Sequence, residues 1–166
     1  NTYGPNQYPE KFIPLFATNA IDGEPLPLYG DGRQCRDWLS VYDHAAGIQH
    51  VFEQGEPGTV YNVGGGNERE NITVAEQSVA TLGKSRSLIR FVQDRPGHDR
   101  RYSIDCRRLR ALGWSPQVPF EEGLKQTVEW YRTHESWWRT IKSGEFKDYY
   151  QQQYAKRLQQ GTACGL

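Results

Sequence analysis

Arginines beside turn-forming residues are the part of this sequence best suited to chemistry on a ligand. The strongest example is residues 94–102, Asp-Arg-Pro-Gly-His-Asp-Arg-Arg-Tyr, where Pro96-Gly97 predicts a tight turn directly after Arg95. A guanidinium offers two parallel N–H groups that match two oxygens of a phosphate, and a rigid turn can hold it in place. The alternative is a solvated turn whose own aspartates and arginines pair with one another. The segment therefore indicates either an anion site or a self-paired polar turn.

A second segment of the same kind covers residues 29–38, Tyr-Gly-Asp-Gly-Arg-Gln-Cys-Arg-Asp-Trp. Its glycines allow a backbone to approach a ligand closely. Arg36 is the residue that would meet a phosphate. Tyr29, with the neighbouring Pro27, would form a flat wall for a nucleobase. Considered alone, the segment also fits a hairpin that exposes its charges to solvent.

Other patterns that mark catalytic or cofactor sites are incomplete. Residues 64–67, Gly-Gly-Gly-Asn, lack the GxGxxG spacing of a dinucleotide-binding turn and the lysine of a phosphate-binding loop, so we predict a structural turn. Asn71 just beyond it is a candidate for a hydrogen bond to a ligand. The four histidines form no cluster, and the GxSxG motif of hydrolases is missing. The three cysteines lack zinc-binding spacing, so we predict reduced thiols in a cytoplasmic protein and no metal.

Length and composition limit the class of protein. The chain has 166 residues, 24% of them charged, and its formal net charge is zero. This fits one folded domain and argues against general nucleic-acid binding, which needs a broad basic surface. A local anion site remains compatible with neutrality, because residues 90–110 hold seven arginines against three aspartates. The sequence contains no run of 18 apolar residues, so we predict no membrane span.

Short helices and strands are predicted to position these side chains. A helix should begin at Pro9, with an apolar face at four-residue spacing, and end at Gly23. Residues 26–29 should form an edge strand. Asp31-Gly32 has the composition of a hairpin turn that would return the chain through an extended segment at 33–41.

Further along, Asp43 should start a helix and residues 59–63 should form a strand. Thr73 and Glu76 have the spacing of a capping box for a helix that ends near Gly83. The remaining predicted elements are a strand at 88–92, an extended piece at 102–104, a helix at 105–113 and an amphipathic helix at 120–134. Because strands and helices do not alternate regularly, the fold class is a small mixed α+β domain or the irregular end of a larger α/β fold.

The motifs, taken in order, resemble the C-terminal half of dTDP-glucose 4,6-dehydratases, which belong to the extended short-chain dehydrogenase/reductase family with its Rossmann-like α/β fold. The resemblance runs from Asn1 to about Trp138. It rests on Asn1-Thr-Tyr-Gly-Pro5, Pro9-Glu-Lys-Phe-Ile-Pro14, Pro25-Leu-Pro-Leu-Tyr-Gly-Asp-Gly32, Arg36-Asp-Trp38, Tyr61-Asn-Val-Gly-Gly65, Asn67-Glu-Arg-Glu-Asn71, Asp94-Arg-Pro-Gly-His-Asp99 and Glu135-Ser-Trp-Trp138.

The resemblance implies a substrate site for a dTDP-hexose. The residues that match the family's substrate site are Asn1, Lys11, Pro27, Tyr29, Arg36, Asn71, Arg95 and His98. Among them, Arg36 and Arg95 are expected at the pyrophosphate, and the segment at 27–29 is expected against the nucleoside.

The family reaction uses NAD to convert dTDP-glucose to dTDP-4-keto-6-deoxyglucose and water. It needs a glycine-rich dinucleotide turn, a Tyr-x-x-x-Lys pair and an Asp-Glu pair, none of which this sequence has in the family setting. We therefore expect residues 1–144 to be the nucleotide-sugar-binding portion and residues 145–166 to be a polar tail, helical or disordered. The catalytic residues and the NAD-binding domain are expected in a preceding segment, since the chain starts with Asn1 rather than Met.

By this hypothesis the chain alone is inactive, and the parent enzyme is a homodimer with no nucleic-acid or membrane partner. Two alternatives stay open on the sequence. One is a related enzyme for a UDP-sugar, such as a decarboxylase or an epimerase. The other is a free-standing nucleotide-sugar-binding module.

Overall fold

The computed structural model describes residues 1–160, except for the side chain of Glu145, and shows a mixed arrangement of short strands and helices. The strands are β1 (Thr2–Tyr3), β2 (Leu26–Tyr29), β3 (Cys35–Asp37), β4 (Leu39–Ser40), β5 (Glu68–Glu70), β6 (Ile89–Val92) and β7 (Arg101–Tyr102). The helices are α1 (Phe12–Asp22), α2 (Val41–Gln54), α3 (Asn71–Thr81), α4 (Arg107–Ala111), α5 (Phe120–Thr133), α6 (Glu135–Ser143), α7 (Glu145–Tyr150) and α8 (Lys156–Gln160), with a 3₁₀ turn at Arg86–Leu88 and a π-helical turn at Gln151–Ala155.

The strands form three small sheets. β1 pairs in parallel with β4, β2 pairs in parallel with β6, and β3 lies between antiparallel β5 and parallel β7. The predicted hairpin at Asp31-Gly32 is therefore wrong, because β2 does not pair with β3. The start of the turn, directly after β2, remains hydrogen-bonded to β6 instead. The Gly30 N–H donates to the Val92 carbonyl at 2.9 Å. The chain thus leaves β2 still bonded to β6 and enters a different sheet at β3.

Helix ends agree with the prediction better than helix starts. Gly23 adopts a left-handed conformation, with φ of 74°, and ends α1, and Gly83 does the same after α3 with φ of 63°. Both sites need positive φ, which glycine adopts without steric cost. α1 starts at Phe12 rather than Pro9, because the preceding residues form a turn in which the Lys11 N–H donates to the Tyr8 carbonyl.

The start of α2 shows why Asp43 was misassigned as its first residue. Ser40 caps the helix, and its hydroxyl accepts the Tyr42 N–H at 3.3 Å. Asp43 is buried within the first turn, where its carboxylate accepts the backbone N–H groups of Gln117 and Val118, each at 2.9 Å. The side chain therefore ties α2 to the loop before α5 rather than capping its own helix.

Two other local predictions are wrong. α3 begins at Asn71, so Thr73 is already inside the first turn and cannot cap it, while Glu76 forms an ion pair with an arginine of the following 3₁₀ turn. Residues 59–63 form no strand within the described part of the chain. Their partly buried apolar side chains pack instead against the cluster around Trp114.

α1 lies between two apolar clusters. One holds Ile13 together with aromatic residues of β1, α5 and α6, and the other holds Phe16 together with β2, α3 and β6. Phe146 and Tyr154, only 3% and 6% exposed, join the second cluster. Residues 145–160 are therefore helical and packed against the rest of the fold. Residues 161–166, including Cys164, lie outside the described residues.

None of the helices formed by residues 1–160 has both the length and the hydropathy to cross a lipid bilayer.

Candidate functional site

One cavity of about 280 Å³ collects residues that are far apart in the sequence. It lies between the start of α1, strands β2 and β3, the turn after β6, and the helical tail. All eight residues that the sequence marked for the substrate site line it, namely Asn1, Lys11, Pro27, Tyr29, Arg36, Asn71, Arg95 and His98. The fold thus brings the two arginine-bearing segments to the same place.

Arg36 is a buried cation with a fixed direction. Its side chain extends from β3, the residue is 5% exposed, and its guanidinium lies 4.2 Å from the ring centre of Tyr102. Nη2 donates to the Asp99 carbonyl at 2.9 Å and bonds with His98 Nε2 at 3.0 Å, while Nη1 donates to the Cys35 carbonyl at 2.7 Å. A guanidinium has five N–H groups. Nε–H and one Nη1–H therefore remain for a ligand.

Carboxylate partners separate the arginines of this region into two groups. Arg100, Arg101 and Arg107 form ion pairs with Asp31, Glu68 and Asp105 at 2.7–2.8 Å. Arg36 and Arg95 form no ion pair with a carboxylate among residues 1–160. The self-paired polar turn that the sequence left open therefore applies to part of the segment but not to Arg95.

The electrostatics of the two unpaired arginines favour an anion. Burial lowers the pKa of the Arg36 guanidinium from its ordinary value, and the positive charge of Arg95 adds to that effect. Arginine nevertheless stays protonated in proteins. An anion placed between the two side chains would offset the desolvation of Arg36 and the repulsion between the two positive charges.

Tyr29 forms an aromatic wall of the cavity. The Arg95 guanidinium lies 5.2 Å from its ring centre, and the Tyr154 ring lies 5.9 Å away at an angle of 37°. Pro27, two residues earlier on the same strand, lines the cavity too. Flat apolar surfaces next to a pair of cations can accept an aromatic base attached to an anionic group.

Two buried polar atoms in the cavity wall have no hydrogen-bond partner among residues 1–160. They are Asn71 Oδ1 and Trp38 Nε1, an acceptor and a donor. Buried polar groups are nearly always hydrogen-bonded. Each of these atoms therefore has capacity for one further hydrogen bond at the cavity wall.

His98 lines the cavity but directs neither ring nitrogen at a free ligand position. Nδ1 bonds with Asp94 Oδ1 at 2.5 Å, and Nε2 bonds with Arg36 Nη2 at 3.0 Å. Its ring also meets Tyr29 edge to face at 5.9 Å. The other two predicted residues lie at the rim: Lys11 is exposed and pairs with Glu10 at 2.7 Å, and Asn1 is exposed.

Sequence reasoning missed the contribution of the tail. Tyr149, Gln153 and Tyr154 line the cavity, although residues 145–166 were assigned to a polar tail. A signal was present, because Phe146, Tyr150 and Tyr154 recur at four-residue spacing and so predict an apolar helix face. The many glutamines between them masked that pattern.

The glycine-rich loop at 64–67 is structural, as predicted. The Asp37 carboxylate accepts the N–H groups of Gly65 and Asn67 at 3.0 and 2.8 Å. A Cβ at Gly65 would lie 2.2 Å from the Trp38 carbonyl, so the loop is glycine-rich because backbones touch there. With those amides occupied by a carboxylate, the loop does not fit the cradle that a dinucleotide pyrophosphate needs.

The sequence matches a known protein family and several of its characterised members. A family model described as GDP-mannose 4,6 dehydratase matches residues 1–127. The chain is 51% identical over 144 residues to a dTDP-glucose 4,6-dehydratase of Streptomyces niveus, a match that covers 86% of this chain and 43% of the relative. It is 46% identical over 165 residues to dTDP-glucose 4,6-dehydratase 1 of Escherichia coli, covering 95% of this chain and 46% of that protein.

Solved structures agree with these matches. The dTDP-glucose 4,6-dehydratase of Streptomyces venezuelae, with NAD and dTDP bound, superposes with a TM-score of 0.82 at 48% identity, over 85% of this chain and 44% of that one. The overall fold is thus that of a portion of a Rossmann-like extended dehydratase. The chain spans a little under half the length of the relatives it matches.

Proposed function

The chain belongs to the GDP-mannose 4,6-dehydratase family, and from that premise we propose that it is the substrate-binding part of an NAD-dependent dTDP-glucose 4,6-dehydratase. One observation carries the proposal. Arg36 and Arg95 line the same cavity beside Tyr29, and neither forms an ion pair with a carboxylate among residues 1–160.

Each part of the cavity has a role in the proposed complex. Arg36 and Arg95 bind the two phosphates, and Arg36 does so with the N–H groups that its protein partners leave free. Tyr29 and Pro27 face the thymine base. Asn71 Oδ1, an acceptor buried without a partner within the described residues, receives a hydrogen bond from the ligand.

The remaining predicted residues belong to the edges of this site. Lys11 and Asn1 lie at the rim, where they would contact the hexose. His98 acts through Arg36 rather than by touching the substrate, because both of its nitrogens have protein partners. Residues 1–144 form the nucleotide-sugar-binding portion in this proposal, and the packed helices after Gly144 complete the cavity wall.

The proposal assigns the chemistry itself to other parts of the enzyme. NAD would supply the hydride exchange when bound, and its site and the catalytic residues are placed outside this chain. We also propose a homodimeric parent enzyme in the cytoplasm. Cys35 and Cys106 are free thiols, which fits a reducing compartment.

Calorimetric titration of the protein with dTDP and with UDP tests the proposal. We expect dTDP to bind and UDP to bind more weakly. The two nucleotides carry the same diphosphate group, so a difference in affinity reports on the base and the sugar. Binding that is equal for the two, or stronger for UDP, would favour a UDP-sugar enzyme. Failure to bind either nucleotide would contradict the proposed substrate site.

A further inference from the structure

Four side chains, two of which line the cavity, form a continuous line of hydrogen bonds. Gln34 Nε2 donates to Asp94 Oδ2 at 2.8 Å, Asp94 Oδ1 meets His98 Nδ1 at 2.5 Å, and His98 Nε2 meets Arg36 Nη2 at 3.0 Å. Gln34 is 1% exposed, and the His98 side chain is 5% exposed. The line therefore joins a buried amide to the buried cation of the candidate phosphate site through the Asp94 carboxylate, whose side chain is 39% exposed.

The protons along this line can be assigned from donor and acceptor chemistry. A guanidinium only donates, so His98 Nε2 must be the acceptor in its bond with Arg36. A neutral imidazole that accepts at Nε2 carries its proton at Nδ1. That proton is donated to the Asp94 carboxylate. The opposite tautomer would set two N–H groups against each other at the Arg36 end.

Asp94 has the properties that this assignment requires. Burial opposes its ionisation, but the hydrogen bonds from His98 and from the Arg95 backbone N–H outweigh burial and lower the pKa of the Asp94 carboxyl. The same Oδ1 thus accepts from His98 and, at 2.8 Å, from the backbone of Arg95. A single carboxylate thus contacts both the backbone of Arg95 and, through His98, the side chain of Arg36.

The turn before β3 is shaped around this carboxylate. A Cβ added at Gly30 would lie 2.7 Å from Asp94 Oδ2 and 3.2 Å from Gln34 Nε2, and Gly30 has φ of 56°. Only glycine fits there without displacing the pair.

We propose that Asp94, held by Gln34, is a positioning residue that fixes the Nδ1–H tautomer of His98 and thereby aims the Arg36 guanidinium at the phosphates of the ligand. The inference rests on the proposed function for the identity of that ligand. The hydrogen-bond order itself does not depend on it.

Nitrogen-15 NMR of the histidine rings in the ligand-free chain tests the hydrogen-bond order. We expect the His98 signals of a ring with the proton on Nδ1 and an acceptor at Nε2. A His98→Gln sample identifies the signals. A ring protonated at Nε2, or at both nitrogens, would overturn the proposal.

Two variants test the consequence for binding. Asp94→Leu removes the hydrogen-bond acceptor and keeps a similar side-chain volume. Asp94→Asn keeps an oxygen that accepts from His98, and a flip of the Gln34 side-chain amide lets its oxygen accept from the new NH₂ group. We expect Asp94→Leu to weaken dTDP binding about tenfold or more and Asp94→Asn by only about threefold. Thymidine, which lacks phosphates, should bind all three proteins equally.

The thymidine comparison separates positioning from collapse of the site. Unchanged dTDP affinity in Asp94→Leu, or an equal loss for dTDP and thymidine, would overturn the proposal. If the unaltered chain binds neither nucleotide, the proposed function fails, and the tautomer of His98 still decides this inference.

Discussion

Replacing Arg95 with alanine should weaken dTDP binding by about 1.5–3 kcal/mol, the range for a hydrogen bond to a charged group. Arg95 lines the cavity and forms no ion pair with a carboxylate among residues 1–160, whereas its neighbours in the same loop do. A phosphate is therefore the partner that the side chain lacks. The expected loss corresponds to an increase in Kd of about 10- to 150-fold.

Folding effects of this substitution should be small. Arg95 is exposed, and its described interaction is with the Tyr29 ring at 5.2 Å. Such exposed cation–π contacts contribute about 0.5–1 kcal/mol. For a chain of this length, that shifts Tm by about 1–4 °C.

Arg100→Ala is the matched control. Arg100 lies in the same loop and is exposed, but it pairs with Asp31 at 2.8 Å and does not line the cavity. Both variants lose one positive charge, so any long-range attraction for dTDP falls by a similar amount. Isothermal titration calorimetry at constant salt should find weak dTDP binding in Arg95→Ala and near-normal binding in Arg100→Ala. Equal effects of the two substitutions, or an Arg95→Ala Kd within twofold of the original, would remove Arg95 from the phosphate site.

Three further predictions concern the structure that supports the site. Gly30→Ala should destabilise the fold by about 3 kcal/mol, because strain at positive φ adds to a steric collision with Asp94. Gly83 also has positive φ but has open space around it, so Gly83→Ala should cost only about 1–2 kcal/mol, and urea unfolding of both variants measures the difference. Tyr154→Ala should lower the free energy of unfolding by about 3 kcal/mol or more and should lower the affinity for dTDP, whereas Tyr154→Phe keeps the ring and should lower the free energy of unfolding far less. Equal stability of the two variants would mean that residues 145–160 do not pack as described. Hydrogen bonds from Arg101 and then Ser103 lower the pKa of Glu68 from 4.5 to about 2, so its stabilising effect is complete above pH 4.5 and is lost as the pH falls through about 2. The free energy of unfolding should therefore drop more between pH 7 and pH 3 in the original chain than in Glu68→Gln, and parallel pH profiles would contradict this.

The parts of the fold that sequence could predict are those set by local chemistry. Gly23 and Gly83 end helices because the backbone needs positive φ there, and the amphipathic pattern of α5 is confirmed within one residue at its C-terminal end. Strand pairing was not predictable in the same way. β2 bonds to β6 across a long stretch of sequence, and the Asp31-Gly32 turn carries no information about that partner.

The candidate site shows the same division between local and long-range information. Motif resemblance named eight residues, and all eight line one cavity. It could not show that Arg95 lacks a carboxylate partner within the described residues while Arg100 has one, since that depends on which loops meet. Nor could it show that both nitrogens of His98 have protein partners, because Arg36 lies 62 positions away in the chain.

A crystal structure of the protein soaked with dTDP shows directly whether this cavity binds the nucleotide. We expect a nucleotide in the cavity with its phosphates within hydrogen-bond distance of Arg36 and Arg95 and its thymine against Tyr29. A nucleotide bound elsewhere, or one in the cavity whose phosphates contact neither arginine, would contradict it.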